Sequence, residues 1–169
     1  MSTEQANIKN DIAIDIGISE KDRKAISDAL SHLLADSYML YLKTHNFHWN
    51  VTGPHFHSLH EQFEEQYNDL ALAVDEIAER IRALGYTAPG TFKEFTKLTT
   101  IEEDTGKPEA MEMVRQLAAD NEKVLKTCRK ALKPCEIESG DNDEATIDLI
   151  TERLHTHSKT AWMLRSHLE

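Results

Sequence analysis

The chain has 169 residues, 40% of them hydrophobic and 29% charged, which suits one domain with a buried core. Its net charge of −11 and pI near 5.2 tell against a surface that neutralises phosphate backbones and favour metal cations as partners. Two cysteines, Cys128 and Cys135, make no disulfide framework, and no apolar run approaches the ~20 residues that cross a bilayer. The polar N-terminus lacks the basic-then-apolar layout of a secretory signal, so the expected location is the cytoplasm, with both thiols reduced.

Residues 1–18 read as an N-terminal tail and residues 19–169 as one helical domain. The first helix is predicted over Glu20 to Trp49, with Ser19 as its N-cap. Its apolar stripe is Ile26, Leu30, Leu33, Ser37 and Leu40, and Val51-Thr-Gly-Pro54 stops it. The second runs from near His55–Ser58 to Gly85. Phe63, Tyr67, Leu70, Val74, Ile77, Ile81 and Leu84 recur on it at steps of three and four, the spacing of a bundle seam.

A Gly/Pro-bearing connection follows, with a short extra helix over Thr91 to Leu98. The next long helix is predicted from Lys107-Pro108, where Pro suits a first-turn position, to Lys133-Pro134. Its stripe is Val114, Leu117, Asn121, Val124, Cys128 and Ala131. The last is predicted from Asn142 to His167, with Ile147, Ile150, Leu154, His157, Ala161, Leu164 and Leu168 on its inner face. No strand-like alternation competes. The fold class is all-α, a four-helix bundle with one long central connection.

The second helix carries two polar pairs at i,i+4 spacing, His60 with Glu64 and Asp75 with Glu79, and His48 precedes them. Imidazole mixed with carboxylate suits ferrous iron or zinc, whereas all-oxygen sites suit magnesium or calcium. At 3.6 residues per turn the four side chains fall within an arc of roughly 100°, beside the apolar seam and pointing away from the chain's own core. Fifteen residues separate His60 from Asp75, or ~22 Å along a helix, too far for one ion. An antiparallel second copy would set His60/Glu64 of one subunit against Asp75/Glu79 of the other. Ala71 and Ala78 would permit the close approach, and the two-fold symmetry would create two sites per dimer.

Other metal motifs fail. His60-Glu61 is followed by Glu64 where a metalloprotease needs a second His. A di-iron site within one bundle needs Glu-x-x-His twice, and the chain has it once, at Glu152 to His155.

The stretch NFHWNVTGPHFHSLHEQFEEQYNDLALAVDEIAERIRALG, Asn46 to Gly85, resembles the signature of the Dps proteins, the mini-ferritins. The likeness extends through the first helix and returns in the C-terminal KTAWMLRSHLE. The resemblance implies a ferritin-like bundle assembled into a hollow homododecamer. It also implies ferroxidase sites at two-fold interfaces with His48, His60, Glu64, Asp75 and Glu79 as ligands. Fe²⁺ and hydrogen peroxide (or O₂) are then the substrates, ferric mineral is stored in the cavity, and oxidative damage is suppressed. Zinc is an alternative occupant of the same ligands. Trp49 matches an aromatic that the family sets near the site to absorb one-electron oxidants. Asp143, Asp148 and Glu152 match the acids of its iron-uptake pore.

Two departures matter. Glu64 stands where the family commonly has Asp. The Lys-rich tail of DNA-binding members is also missing: residues 1–18 carry Lys9 against Glu4, Asp11 and Asp15, and the chain ends at Glu169 without a basic extension. DNA binding is therefore expected to be weak or absent, and a DNA-protective or metal-sequestering shell with little turnover is the alternative function. His45, His55 and His57 crowd the site as candidates for an accessory metal, with loop hydrogen bonding as the plainer role. His157 is expected to be a satisfied core histidine.

Overall fold

The computed structural model describes residues 13–169, so Glu4, Lys9 and Asp11 of the tail lie outside the described residues. Five helices follow in order: α1 (Glu20–Asn50), α2 (Phe56–Ala83), the short α3 (Phe92–Leu98), α4 (Ala110–Leu132) and α5 (Glu144–Arg165). No strand occurs among the described residues. A single 3₁₀ turn, Lys133–Cys135, carries Pro134 between α4 and α5.

The ends obey local chemistry. The Ser19 hydroxyl accepts from the Asp22 amide, and Val51 turns extended to end α1. α2 closes at Gly85, whose φ of 97° only glycine adopts cheaply. There the Gly85 amide bonds the Arg82 carbonyl and the Tyr86 amide bonds the Ile81 carbonyl, the two bonds of a Schellman cap. Thr91 and Glu94 form a reciprocal capping box that starts α3.

Two boundaries depart from the sequence reading. α4 begins at Ala110 and not at Lys107-Pro108, because Glu109 is extended (ψ 158°) and acts as N-cap. The preceding loop is tied elsewhere: the Gln116 amide donates to Asp104, whose other oxygen accepts from the Gly106 amide. α5 begins after Asp143 and stops at Arg165, which leaves Leu168 beyond the helix and exposed.

The predicted stripes of α1 and α4 are buried throughout. On α2, Phe63, Leu70, Ile77, Ile81 and Leu84 are buried, whereas Tyr67 and Val74 are half-buried at the seam's edge. α1 packs along α2, α4 along α5, and α1 crosses α4. The long connection carries α3 onto α1, where Phe95 stacks on Tyr38 at 4.9 Å.

One buried carboxylate fastens that connection. Asp36 is fully buried on α1 and accepts from the Thr99 hydroxyl (2.8 Å), the Thr100 amide and hydroxyl, and the α4 hydroxyl of Thr127 (2.6 Å). These donors meet the requirement that a buried charge be hydrogen-bonded. They also hold three segments in register. Arg153 on α5 reaches Asp69 on α2 at 2.8 Å.

Candidate metal centre

The short turn from Val51 to His55 sets the last turn of α1 beside the first turns of α2. His48 therefore meets His60. The imidazoles stack with centroids 3.8 Å apart and planes 19° apart. His48 Nδ1 lies 2.8 Å from the His60 carbonyl oxygen, and His60 Nδ1 lies 2.8 Å from the His48 carbonyl oxygen. A carbonyl oxygen only accepts, so each Nδ1 carries the proton and donates it. In the neutral ring this puts the lone pair on Nε2, which is the form in which a histidine ligates metal while its other nitrogen fixes the ring. The pairing also answers a local need, because the His48 carbonyl is one of those that the end of α1 leaves without a helical partner.

His48 is 7% exposed and His60 half-buried, whereas Glu64, Asp75 and Glu79 are exposed. None of these three carboxylates forms an ion pair with a described residue. His60 and Glu64 sit one turn apart at the start of α2, and Asp75 and Glu79 one turn apart towards its end. Among the described residues no three His, Cys, Asp or Glu side chains converge as a metal cluster within the one chain. The outward-facing part of α2 that bears them is bordered by a groove of about 440 Å³, lined in part by Tyr38, Ala78, Phe92 and Phe95. Phe92 and Leu72, 61% and 69% exposed, add apolar surface there that the sequence reading did not single out.

Trp49 is 59% exposed and packs on His45, centroid to centroid 4.0 Å. On its other side His45 stacks on Tyr67 at 4.1 Å, and Tyr67 stands edge-on to His48 at 5.1 Å. Burial first, and then His48, push His45 below the usual histidine pKa. Burial first, and then the Glu64 carboxylate, push the Tyr67 phenol above its usual value. Phe56 stacks on the outer side of His60 at 5.1 Å. Sequence reasoning placed Tyr67 only in the seam. The spacing of Tyr38, Tyr41, His45 and Trp49 at steps of three and four was the available signal for an aromatic face.

The remaining candidates separate. α2 starts at Phe56, so His57 is helical; it is exposed and lies 3.4 Å from Glu61. His55 is the exposed N-cap residue of α2 and makes no side-chain cap bond. His157 is buried in the bundle with Nδ1 2.7 Å from Asn121 Oδ1, and burial drives its pKa down to about 4.

Of the three acids assigned to an uptake pore, Asp148 and Glu152 are exposed one turn apart on α5. Asp143 is different. It is buried, its carboxylate caps the Thr146 amide at 3.2 Å, and Arg80 donates to it at 2.6 Å. Burial alone would raise its pKa, but the bonds from Arg80 and Thr146 outweigh this and hold it below the usual carboxylate range. Within the chain Asp143 thus joins α2 to α5.

The ferritin-like domain family matches residues 27–169. A low temperature-induced protein of Nostoc is 40% identical over 159 residues, covering 92% of this chain and 87% of its own length. DNA protection during starvation protein 2 of Bacillus anthracis is 40% identical over 145 residues, covering 86% and 97%. Among solved structures, a Dps protein from Vibrio cholerae is described as a member of a broad superfamily of ferritin-like diiron-carboxylate proteins. It matches with a TM-score of 0.86 at 30% identity, covering 95% of this chain and 99% of that one.

Proposed function

This chain belongs to the Dps proteins of the ferritin-like family, and from that premise we propose that it is a ferroxidase and iron store. The observation that carries this reading is the mutual lock of His48 and His60. It leaves both Nε2 atoms uncommitted, with Glu64 one turn beyond His60 on the helix whose far end bears Asp75 and Glu79. Two imidazoles that can ligate through Nε2 and three carboxylates without an ion pair to a described residue form a donor set suited to Fe²⁺ and better still to Fe³⁺. Zinc fits the same donors without redox turnover.

In this reading His48, His60 and Glu64 of one subunit and Asp75 and Glu79 of its partner complete each site across a two-fold axis. Apolar Leu72 and Phe92 and small Ala71 and Ala78 suit the same surface to contact between copies. Fe²⁺ bound there passes its electron to hydrogen peroxide, or to O₂, and the ferric product collects inside a hollow dodecamer. Asp148 and Glu152 supply negative charge for iron uptake. The chain acts in the cytoplasm; no helix among the described residues is long and apolar enough to cross a membrane.

A DNA-protective shell is the second reading, favoured by the name of the Bacillus anthracis relative. A net charge of −11 opposes it, since DNA affinity depends on neutralising phosphates. One experiment separates the readings. Fe²⁺ is added anaerobically to the protein, then hydrogen peroxide, and ferric absorbance is followed beside a His60→Ala/Asp75→Ala variant. The ferroxidase reading expects the variant to be much slower; equal rates would reject it.

A further inference from the structure

α2 packs chiefly on α1 and α5 chiefly on α4, so α2 and α5 face each other with little contact. A cavity of about 310 Å³ opens between them. Gln62 and Asp69 stand on its α2 wall and Thr160 on its α5 wall. Its floor reaches Thr44 on α1 and the Asn121/His157 pair in the bundle core.

The floor has a defined polarity. Asn121 Nδ2 donates to the Leu117 carbonyl at 2.8 Å, which turns Asn121 Oδ1 towards His157. His157 Nδ1 donates to that oxygen at 2.7 Å, so the neutral ring carries its lone pair on Nε2. His157 is 2% exposed, and its Nε2 is buried with no hydrogen-bond partner among the described residues. On the wall, His167 Nε2 lies 2.7 Å from Gln62 Oε1. The other end of that amide, Gln62 Nε2, is a buried donor and likewise has no partner among the described residues. The cavity therefore presents one acceptor and one donor, and burial makes each costly to leave unpaired.

Charge narrows the ligand. Burial first, and then the Arg153 guanidinium, push the His157 pKa down to about 4, and Asp69 offsets this only in part. A ring that refuses a proton at neutral pH opposes a metal cation for the same reasons. An anion would meet a lone pair where it needs a donor. What fits is a small neutral molecule with an O–H to donate and a lone pair to accept.

Hydrogen peroxide is such a molecule, and the cavity lies close to where the ferroxidase reading consumes it. Thr44 stands one turn before His48 on α1, ~6 Å along the helix, and Gln62 stands two residues after His60 on α2. We propose that this cavity binds hydrogen peroxide and holds the oxidant beside the metal site, one O–H donating to His157 Nε2 and one oxygen accepting from Gln62 Nε2. This rests on the ferroxidase reading above. Water shares the same hydrogen-bonding chemistry and is the competing occupant. Dioxygen has no O–H to donate, so the cavity offers it no such hold.

Two measurements on the assembled protein test it. Iron-free crystals are soaked in hydrogen peroxide, and matched crystals in buffer. The expected difference is a two-atom molecule within hydrogen-bond distance of both nitrogens. In solution, ferroxidase rates are followed with peroxide and separately with O₂ for wild type, Gln62→Met and Thr160→Met. Gln62→Met removes the donor at nearly constant volume, and Thr160→Met fills the cavity from its wall. Each is expected to raise KM for peroxide, by roughly 2–10-fold where one hydrogen bond is lost, with kcat and the O₂-driven rate unchanged. Water alone in both crystals, or peroxide bound at crystal concentration only with KM unchanged, would overturn the proposal. Equal losses with both oxidants would overturn it too, since they would show damage to the metal site. A wild type that oxidises no iron would instead overturn the ferroxidase reading, while the soaked crystals still decide whether peroxide binds.

Discussion

His48 and His60 fix each other through two reciprocal hydrogen bonds of 2.8 Å, each ring donating to the other's backbone carbonyl. Backbone supplies both acceptors, so each ring keeps its hydrogen-bond partner whatever side chain stands at the other position; the contact that needs both histidines is the ring stacking at 3.8 Å. His60→Ala therefore removes one ligand and also the donor to the His48 carbonyl. We expect ferrous affinity to fall by at least the ~10–100-fold that loss of an orienting partner typically costs at a metal site. Anaerobic titration with Fe²⁺ measures it, and unchanged affinity would show that the pair does not bind iron.

His157 makes stability depend on pH in a defined window. Burial lowers its pKa from 6.5 to about 4 in the folded chain, so between these values the unfolded chain binds the proton and the folded chain does not. Stability from this group is full above about 6.5, falls as pH drops towards about 4, and then levels off, a loss of at most ~3 kcal/mol. Denaturant titrations across this range check it. The variant His157→Leu/Asn121→Leu should show a shallower acid slope; an identical slope would contradict the assignment.

How much of this was legible in the sequence differs from residue to residue. The core stripes of α1 and α4 were, because Ile26, Leu30, Leu33, Val114, Leu117 and Val124 recur at the helical period and Gly/Pro segments bracket them. The outward face of α2 that carries Glu64, Asp75 and Glu79 was legible for the same reason. The bond of Asp143 to Arg80 was not, since the two lie 63 residues apart and no local pattern announces it. The His48–His60 lock was equally hidden, because it depends on the turn geometry that leaves a carbonyl of α1 free. Tyr67 was read as a seam residue, and only the packing of α2 on α1 shows that its ring touches His45 and His48.

Asp36 carries a larger structural burden than its place on a helix suggests. Asp36→Ala would strand the hydroxyls of Thr99, Thr100 and Thr127 and release the long connection, at a cost of about 3 kcal/mol. Urea unfolding monitored by circular dichroism measures this. A loss no greater than that of an exposed acid such as Asp28→Ala would refute the role.

Cys128 and Cys135 should be inert in the folded chain. Both are buried, and burial pushes both thiols up to about 12. A thiol reagent at neutral pH should react slowly until denaturant is added; rapid native labelling of either would show that its surroundings open.

The central claim is that each metal site is built by two subunits, and mixed assemblies test it most directly. His60→Ala and Asp75→Ala subunits are each expected to form inactive shells. Unfolded together in equal amounts and reassembled, they should regain about a quarter of the wild-type ferroxidase rate, because random pairing makes half the dimers mixed and each mixed dimer has one of its two sites intact. Reassembled mixtures as inactive as the separate variants, with dimers shown to be mixed by mass, would contradict the account.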